Sequence, residues 1–306
     1  MNKLFIAGLF AAISLNSIAQ TVLPLYNGTV PNSVANTEIE AKNVNATGQI
    51  RYGKVTQPTL EVHLPAKELA NGTSVIIIPG GGYSIVSYTN EGTDIASAFN
   101  KMGVAAFILK YRLPSDKTMA DKTVGPLQDA QKAIKIVRMR AKEWNLDTAK
   151  VGIIGFSAGG HLASTLGTHY TKSLIENKEN TNLRPSFMIL MYPVISLTEE
   201  LMHKGSRDNL IGSNPNAELT KLYSNDLQVT PQTPATMLIH AGDDKTVKVA
   251  NSLRFYEALQ KNGVSAEMHV YPKGGHGFGI NNRTTSDKWI DRVENWLKAG
   301  GFMMSK

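Results

Sequence analysis

The feature of this 306-residue chain that most restricts its fold is a rhythm that begins at Ser74. Short apolar runs alternate with longer amphipathic segments. Ser74-Val75-Ile76-Ile77-Ile78 is a continuous apolar run, as expected of a strand buried on both faces. Gly80-Gly81-Gly82 stops it. Glu91 to Met102 then places Ile95, Ala98 and Phe99 on one helical face, with Gly103 as the C-terminal stop. The alternation continues with strand 104–111, helix 126–144, strand 151–156, helix 158–170 and strand 187–192. After an interruption come strand 236–240, helix 251–262, strand 266–271 and helix 287–299. Strands separated by helices of this length require crossover connections, and these build a mostly parallel, doubly wound α/β sheet. Residues 21–71 read as turns and short strands, clearest at 59–64. No repeat or linker divides residues 20–306, so a single domain is expected.

The interruption, Val194 to Pro234, is too long for a crossover loop and rich in Ser, Asn and Pro. Helical pieces are expected near Leu197 to Met202 and Ala217 to Tyr223. Long insertions in compact domains are commonly functional, and ligands of open α/β sheets bind beyond the carboxyl ends of the strands. The insertion leaves from such an end and is expected to form a small cap.

Residues 1–19 have the form of an export leader. Lys3 supplies the positive start, Leu4 to Leu15 the apolar stretch, and Ser17-Ile18-Ala19 the small residues of a cleavage site. The stretch is short for a membrane span, and no cysteine follows to carry a lipid. Cleavage after Ala19 would leave a periplasmic or secreted protein without a stable membrane anchor. The chain has no cysteine, which removes disulfides, thiolate metal sites and a Cys nucleophile. A formal charge of +7 is spread without a basic–aromatic patch, so nucleic acid is not an expected partner.

Gly155-Phe156-Ser157-Ala158-Gly159 matches G-x-S-x-G, a weak pattern in isolation. Here it lies between an apolar strand and a small-residue helix start, the strand–turn–helix setting that lifts a serine hydroxyl above a sheet edge. Such a turn has no room for side chains two residues either side of Ser157. The helix behind it points free amides and the positive end of its dipole at the same place. A dinucleotide-binding turn would need G-x-G-x-x-G, which Gly152, Gly155 and Gly160 do not supply.

A serine hydroxyl needs a base to accept its proton. Of seven histidines, His276 stands out in Lys273-Gly274-Gly275-His276-Gly277-Phe278-Gly279, directly after a strand. His161, one helical turn beyond Ser157, should point away and pack. His240 should orient the turn that follows it, while His63, His169, His203 and His269 have no supporting context. The base needs a carboxylate to fix its tautomer. Ala241-Gly242-Asp243-Asp244 also follows a strand, with Asp244 the first choice and Asp243 the reserve. The order Ser157, Asp244, His276 is that of α/β hydrolases. Acyl transfer also requires oxyanion donors. The amides of Gly81 and Gly82, which follow the first buried strand, and of Ala158 are the candidates.

Together, the GGGY loop, the Leu127-Gln128-Asp129-Ala130 helix, GFSAGGHLAS, AGDD and GGHGFG resemble bacterial α/β-hydrolases related to feruloyl and acetylxylan esterases. The resemblance spans roughly residues 55–300. It implies an α/β-hydrolase fold with a triad at Ser157, Asp244 and His276 and an oxyanion loop at Gly81 and Gly82. It also implies an ester substrate, acylated plant polysaccharide or a small ester, with no metal or organic cofactor. Pro79 stands where some relatives have the His of His-Gly-Gly-Gly, which sets the chain apart from the hormone-sensitive-lipase branch. Many relatives continue Val-Pro after the acid, whereas here Lys248 follows Val247. The expected activity is a serine carboxylesterase removing acyl groups, acetyl first, from xylan-type carbohydrate. A peptidase of the prolyl-oligopeptidase type is one alternative, although such enzymes usually carry a propeller for which this chain has no room. An inactive carbohydrate-binding homologue is another, although such proteins typically lose a member of the triad.

Overall fold

A computed structural model describes residues 21–303; the expected leader lies outside the described residues. The amino-terminal part contains β1 (Thr21–Pro24), β2 (Ala41–Val44), β3 (Ile50–Gly53) and β4 (Thr59–His63). Then follow β5 (Ser74–Ile78), β6 (Ile85–Val86), α1 (Asp94–Lys101), β7 (Ala105–Lys110), α2 (Gly125–Met139), β8 (Val151–Phe156), α3 (Ala158–His169) and β9 (Phe187–Met191). The last part holds α4 (Lys204–Ile211), α5 (Ala217–Leu222), β10 (Ala235–Ala241), α6 (Ala250–Lys261), β11 (Ala266–Tyr271) and α7 (Trp289–Ala299).

Eight strands form one sheet in the order β1-β4-β7-β5-β8-β9-β10-β11. Neighbours from β7 to β11 are parallel, and β4 runs antiparallel to both β1 and β7. Every residue of β5, β7, β8 and β9 is buried, which requires cover on both faces of the sheet and explains their unbroken apolar sequences. A separate antiparallel sheet, β2-β3-β6, holds the chain just beyond Gly80-Gly81-Gly82 through the pairing of Tyr52 with Val86. Among the described residues no helix is long and apolar enough to cross a membrane.

The element boundaries depart from the sequence reading in three informative places. Residues Thr89–Thr93 form a wide π-helical turn, so the helix expected from Glu91 starts at Asp94. The helix expected to reach Trp144 ends at Met139, and the chain turns through Asn145 in the left-handed region (φ 53°). In the insertion, residues 197–202 make a turn, not a helix, in which the amides of Leu201 and Met202 bond to the carbonyl of Thr198. The helix there is α4, capped at its start by His203 Nδ1 accepting from the Ser206 amide. Gly205 obscures this helix in the sequence, since glycine disfavours helix interiors.

Arg112, just after β7, and Asp129, on α2, form a fully buried ion pair at 2.8 Å. Arg112 also donates to the carbonyls of Pro31 (2.6 Å) and Gly125 (3.2 Å), and Tyr26 donates to Asp129 at 3.0 Å. The pair therefore ties β7, α2 and the amino-terminal segment together. Removing one partner strands a charge without a counter-ion in a site that water cannot reach. Asp129→Ala should lower the unfolding free energy by roughly 3–5 kcal/mol. An unchanged denaturation midpoint would rule this role out.

His161 on α3 is also fully buried. The carbonyl of Tyr223 can only accept, so His161 Nε2 carries the proton (2.8 Å) and Nδ1 accepts from the Tyr83 hydroxyl (2.9 Å). Burial lowers the folded-state pKa from 6.5 to about 4. The unfolded chain takes up a proton that the folded protein refuses, so this stability is complete above 6.5 and lost as pH falls toward 4. Denaturation curves across that range should show a shallower decline for His161→Gln than for the wild type. The residual slope includes His169, which burial also shifts down. Equal slopes would contradict the assignment.

Candidate active site

Ser157 sits between the end of β8 and the first residue of α3, at φ 51° and ψ −118°. This left-handed geometry costs on the order of 1–3 kcal/mol for a non-glycine residue. The surrounding backbone enforces it. The Ser157 amide donates to the Met191 carbonyl, and its own carbonyl accepts from His161 and Val194. A Cβ on Gly155 would stand 2.3 Å from the carbonyl oxygen of Gly159, and one on Gly159 would stand 2.2 Å from that of Ile78. The helix can approach the strand this closely only with glycine at both places. The result is a serine placed at the carboxyl edge of the sheet, with the residue 6% exposed.

His276 reaches this hydroxyl from the loop after β11. Its Nε2 lies 2.8 Å from Ser157 Oγ, and its Nδ1 lies 2.6 Å from Asp244 Oδ2. Asp244 follows β10, and its side chain has no exposed surface. Its Oδ1 accepts from the amides of Thr246 (2.8 Å) and Val247 (2.9 Å). His240 Nε2 lies 3.2 Å from Oδ2 and 3.0 Å from the Val247 carbonyl, so it braces the turn that carries the acid. Burial by itself would raise the Asp244 carboxyl, but hydrogen bonds from His240, His276 and the Val247 amide outweigh it and hold the group well below the usual carboxylate range. Asp244 therefore stays ionised beside His276. The bond to the imidazole comes from Asp244 and not from Asp243, whose Oδ1 accepts from the Gly275 amide at 2.8 Å and holds the loop that carries His276.

The Gly80-Gly81-Gly82 loop after β5 lies against the same serine. A Cβ on Gly80 would be 2.9 Å from Ser157 Cβ, and one on Gly81, where φ is 130°, would be 2.3 Å from the Ile85 carbonyl oxygen. Among the described residues the amides of Gly81, Gly82 and Ala158 donate to no protein acceptor. Three backbone donors adjoining Ser157 in chain or in space are thus left unused by the fold.

Several neighbours of this site carry no local signal in the sequence. His203 borders the glycine loop, its Cε1 3.7 Å from where a Cβ on Gly82 would stand, and Asn209 on α4 donates to the Gly82 carbonyl at 2.8 Å. Both come from the insertion. Tyr83, whose hydroxyl bonds His161, anchors the loop from the other side. Glu91 is buried, with one carboxylate oxygen accepting from the Gly80 amide (2.8 Å) and the other from the Tyr192 hydroxyl (2.9 Å). Burial raises the Glu91 pKa against the opposing pull of these two bonds. Tyr192 packs edge-on to the His276 ring at 4.9 Å.

Comparison with known proteins shows the family to which the chain belongs. The BD-FAE family profile matches residues 60–259. The chain is 38% identical over 237 residues to an acetylxylan esterase of Xylanibacter ruminicola, covering 76% of this chain and 46% of that protein. It is 34% identical over 218 residues to endo-1,4-beta-xylanase B of Butyrivibrio fibrisolvens, covering 70% of this chain and 34% of that protein. The chain thus spans less than half the length of these curated relatives. Among solved structures, the acetyl ester-xyloside bifunctional hydrolase from Caldicellulosiruptor lactoaceticus superposes with a TM-score of 0.78 at 34% identity, covering 92% of this chain and 97% of that one. With its mostly parallel sheet and profile match, the chain belongs to the BD-FAE family of α/β-hydrolase esterases.

Proposed function

We propose that this protein is a serine carboxylesterase that removes acyl groups, acetyl first, from acylated plant polysaccharide such as xylan. The observation that carries the reading is the unbroken hydrogen-bonded series from Ser157 through His276 to buried Asp244. In this reading Ser157 Oγ attacks the ester carbonyl carbon while His276 Nε2 takes its proton. The carbonyl oxygen becomes an oxyanion held by the amides of Gly81, Gly82 and Ala158, each such donor being worth about 3–4 kcal/mol. Asp244 fixes the proton on His276 Nδ1 and stabilises the imidazolium. The tetrahedral adduct collapses, His276 protonates the departing alcohol, and the acyl group remains on Ser157. Water, deprotonated by His276, repeats the cycle and releases the carboxylate.

The polysaccharide part of the reading draws on the relatives named above, two of which carry xylan chemistry in their names. The insertion between β9 and β10 supports a role in substrate choice, because His203 and Asn209 stand at the oxyanion loop. We read residues 1–19 as an export leader, which would bring the enzyme to its polymer outside the cytoplasm.

Acetate release from acetylated xylan and hydrolysis of p-nitrophenyl acetate, measured on the same preparations, test the proposal. The wild type should act on both. Ser157→Ala should lose roughly 10⁴–10⁶-fold in kcat, and Asp244→Asn about 10⁴-fold, with Asp243→Asn affected far less. Equal activity in wild type and Ser157→Ala would sink the nucleophile assignment. Activity confined to the small ester would remove the polysaccharide claim.

A further inference from the structure

The mechanism above has no use for Glu91, yet its carboxylate is buried at the site. A buried carboxylate is costly unless its hydrogen bonds offset the lost water. Glu91 accepts two, and both partners belong to the chemistry on either side of it. Oε2 takes the amide of Gly80, the residue that leads into Gly81 and Gly82. Oε1 takes the hydroxyl of Tyr192, which in turn accepts from the amide of Gly279 at 3.1 Å, on the loop that carries His276. The Tyr192 ring also meets the rings of His276 (4.9 Å) and Phe278 (4.8 Å) edge-on.

Other contacts converge on this link. Gly80 is wedged so tightly that a Cβ there would stand 2.5 Å from the Phe156 carbonyl oxygen and 2.9 Å from both Ser157 Cβ and Glu91 Oε2. Asn90 Nδ2 donates to the Gly277 carbonyl at 3.2 Å, so the residue before Glu91 grips the same loop. The turn that presents both residues is π-helical, with the amides of Thr93 and Asp94 bonding five residues back to the carbonyls of Tyr88 and Thr89. Such wide turns recur at functional sites. Here Glu91 lies within the turn and is buried, with its carboxylate on Gly80 and Tyr192.

We propose that Glu91 is a positioning residue that sets the spacing between the oxyanion amides and the His276 imidazole, through the Gly80 amide on one side and the Tyr192 hydroxyl on the other. The proposal rests on the roles assigned to Ser157 and His276 above. A base displaced by a fraction of an ångström from the oxyanion donors still leaves room for substrate but loses alignment with the transition state. The signature is therefore a loss in kcat at nearly constant KM.

Glu91→Gln keeps one acceptor for Gly80 and turns a donor toward the Tyr192 hydroxyl; Tyr192→Phe removes that hydroxyl and leaves the Gly80 bond. Both variants and their combination are assayed on p-nitrophenyl acetate, with active sites titrated by the acyl-enzyme burst and melting curves recorded. Each single variant should lose about 10- to 100-fold in kcat per titrated site, with KM within about twofold. The double variant should lose little more than the worse single, because both changes cut the same link. Wild-type kcat in the single variants, or a rise in KM with kcat preserved, overturns the proposal. If Glu91→Gln does not fold, Tyr192→Phe decides by the same readings. Failure of the underlying reading is separable: there Ser157→Ala would stay active, whereas failure of this proposal leaves Ser157→Ala inactive beside fully active Glu91 and Tyr192 variants.

Discussion

The backbone of Ser157 is the point to which the rest of the site is referred. Its left-handed φ of 51° lets a strand stop and a helix begin with no intervening loop. That geometry needs α3 to ride almost on top of β8 and β5, hence the absence of a Cβ at Gly155 and Gly159. Once the turn exists, the first helical amide follows directly after the serine that carries the hydroxyl. The strain is local and is offset by burial of the whole β8–α3 unit, whose residues up to Gly167 have almost no exposed surface. The parallel sheet then supplies the partners, since the chains leaving β5, β10 and β11 emerge at the edge where Ser157 stands.

Electrostatics at that edge are arranged in two carboxylate centres with opposite tendencies. Asp244 is enclosed, but two histidines and two amides point at it, so it stays ionised and can hold His276 in one tautomer. Glu91 is enclosed with fewer donors, and burial raises its pKa. One carboxylate faces the base and the other braces the loops around it. At Glu91 burial outweighs the hydrogen bonds, whereas at Asp244 the larger set of hydrogen bonds outweighs burial.

Much of this was legible in the sequence because it is local. Continuous apolar runs gave β5, β8 and β9 to within a residue, and the glycines around Ser157, His276 and Gly81 flagged turns that only small residues can make. The structure brings Ser157, His276 and Asp244 into contact, and separates Asp244 from Asp243 by a difference of one residue that no pattern rule resolves. What stayed hidden depends on distant pairs. Glu91 and Tyr192 lie 101 positions apart, and Asn209 and Gly82 lie 127 apart. Neither has a local motif. The helix α4 has no clear sequence signal because Gly205 weakens its propensity while capping by His203 and burial of Leu210 and Ile211 restore it.

The central claim is that Ser157 is the group that becomes covalently acylated. The most direct measurement is intact-protein and peptide mass spectrometry after treatment with diethyl p-nitrophenyl phosphate, a reagent that phosphorylates an activated serine and then resists hydrolysis. The account predicts one diethylphosphoryl adduct per chain, on Ser157, appearing in step with loss of esterase activity and absent when His276 is replaced by alanine. An adduct on another residue accompanying inactivation, or full inactivation with Ser157 unmodified, would contradict it.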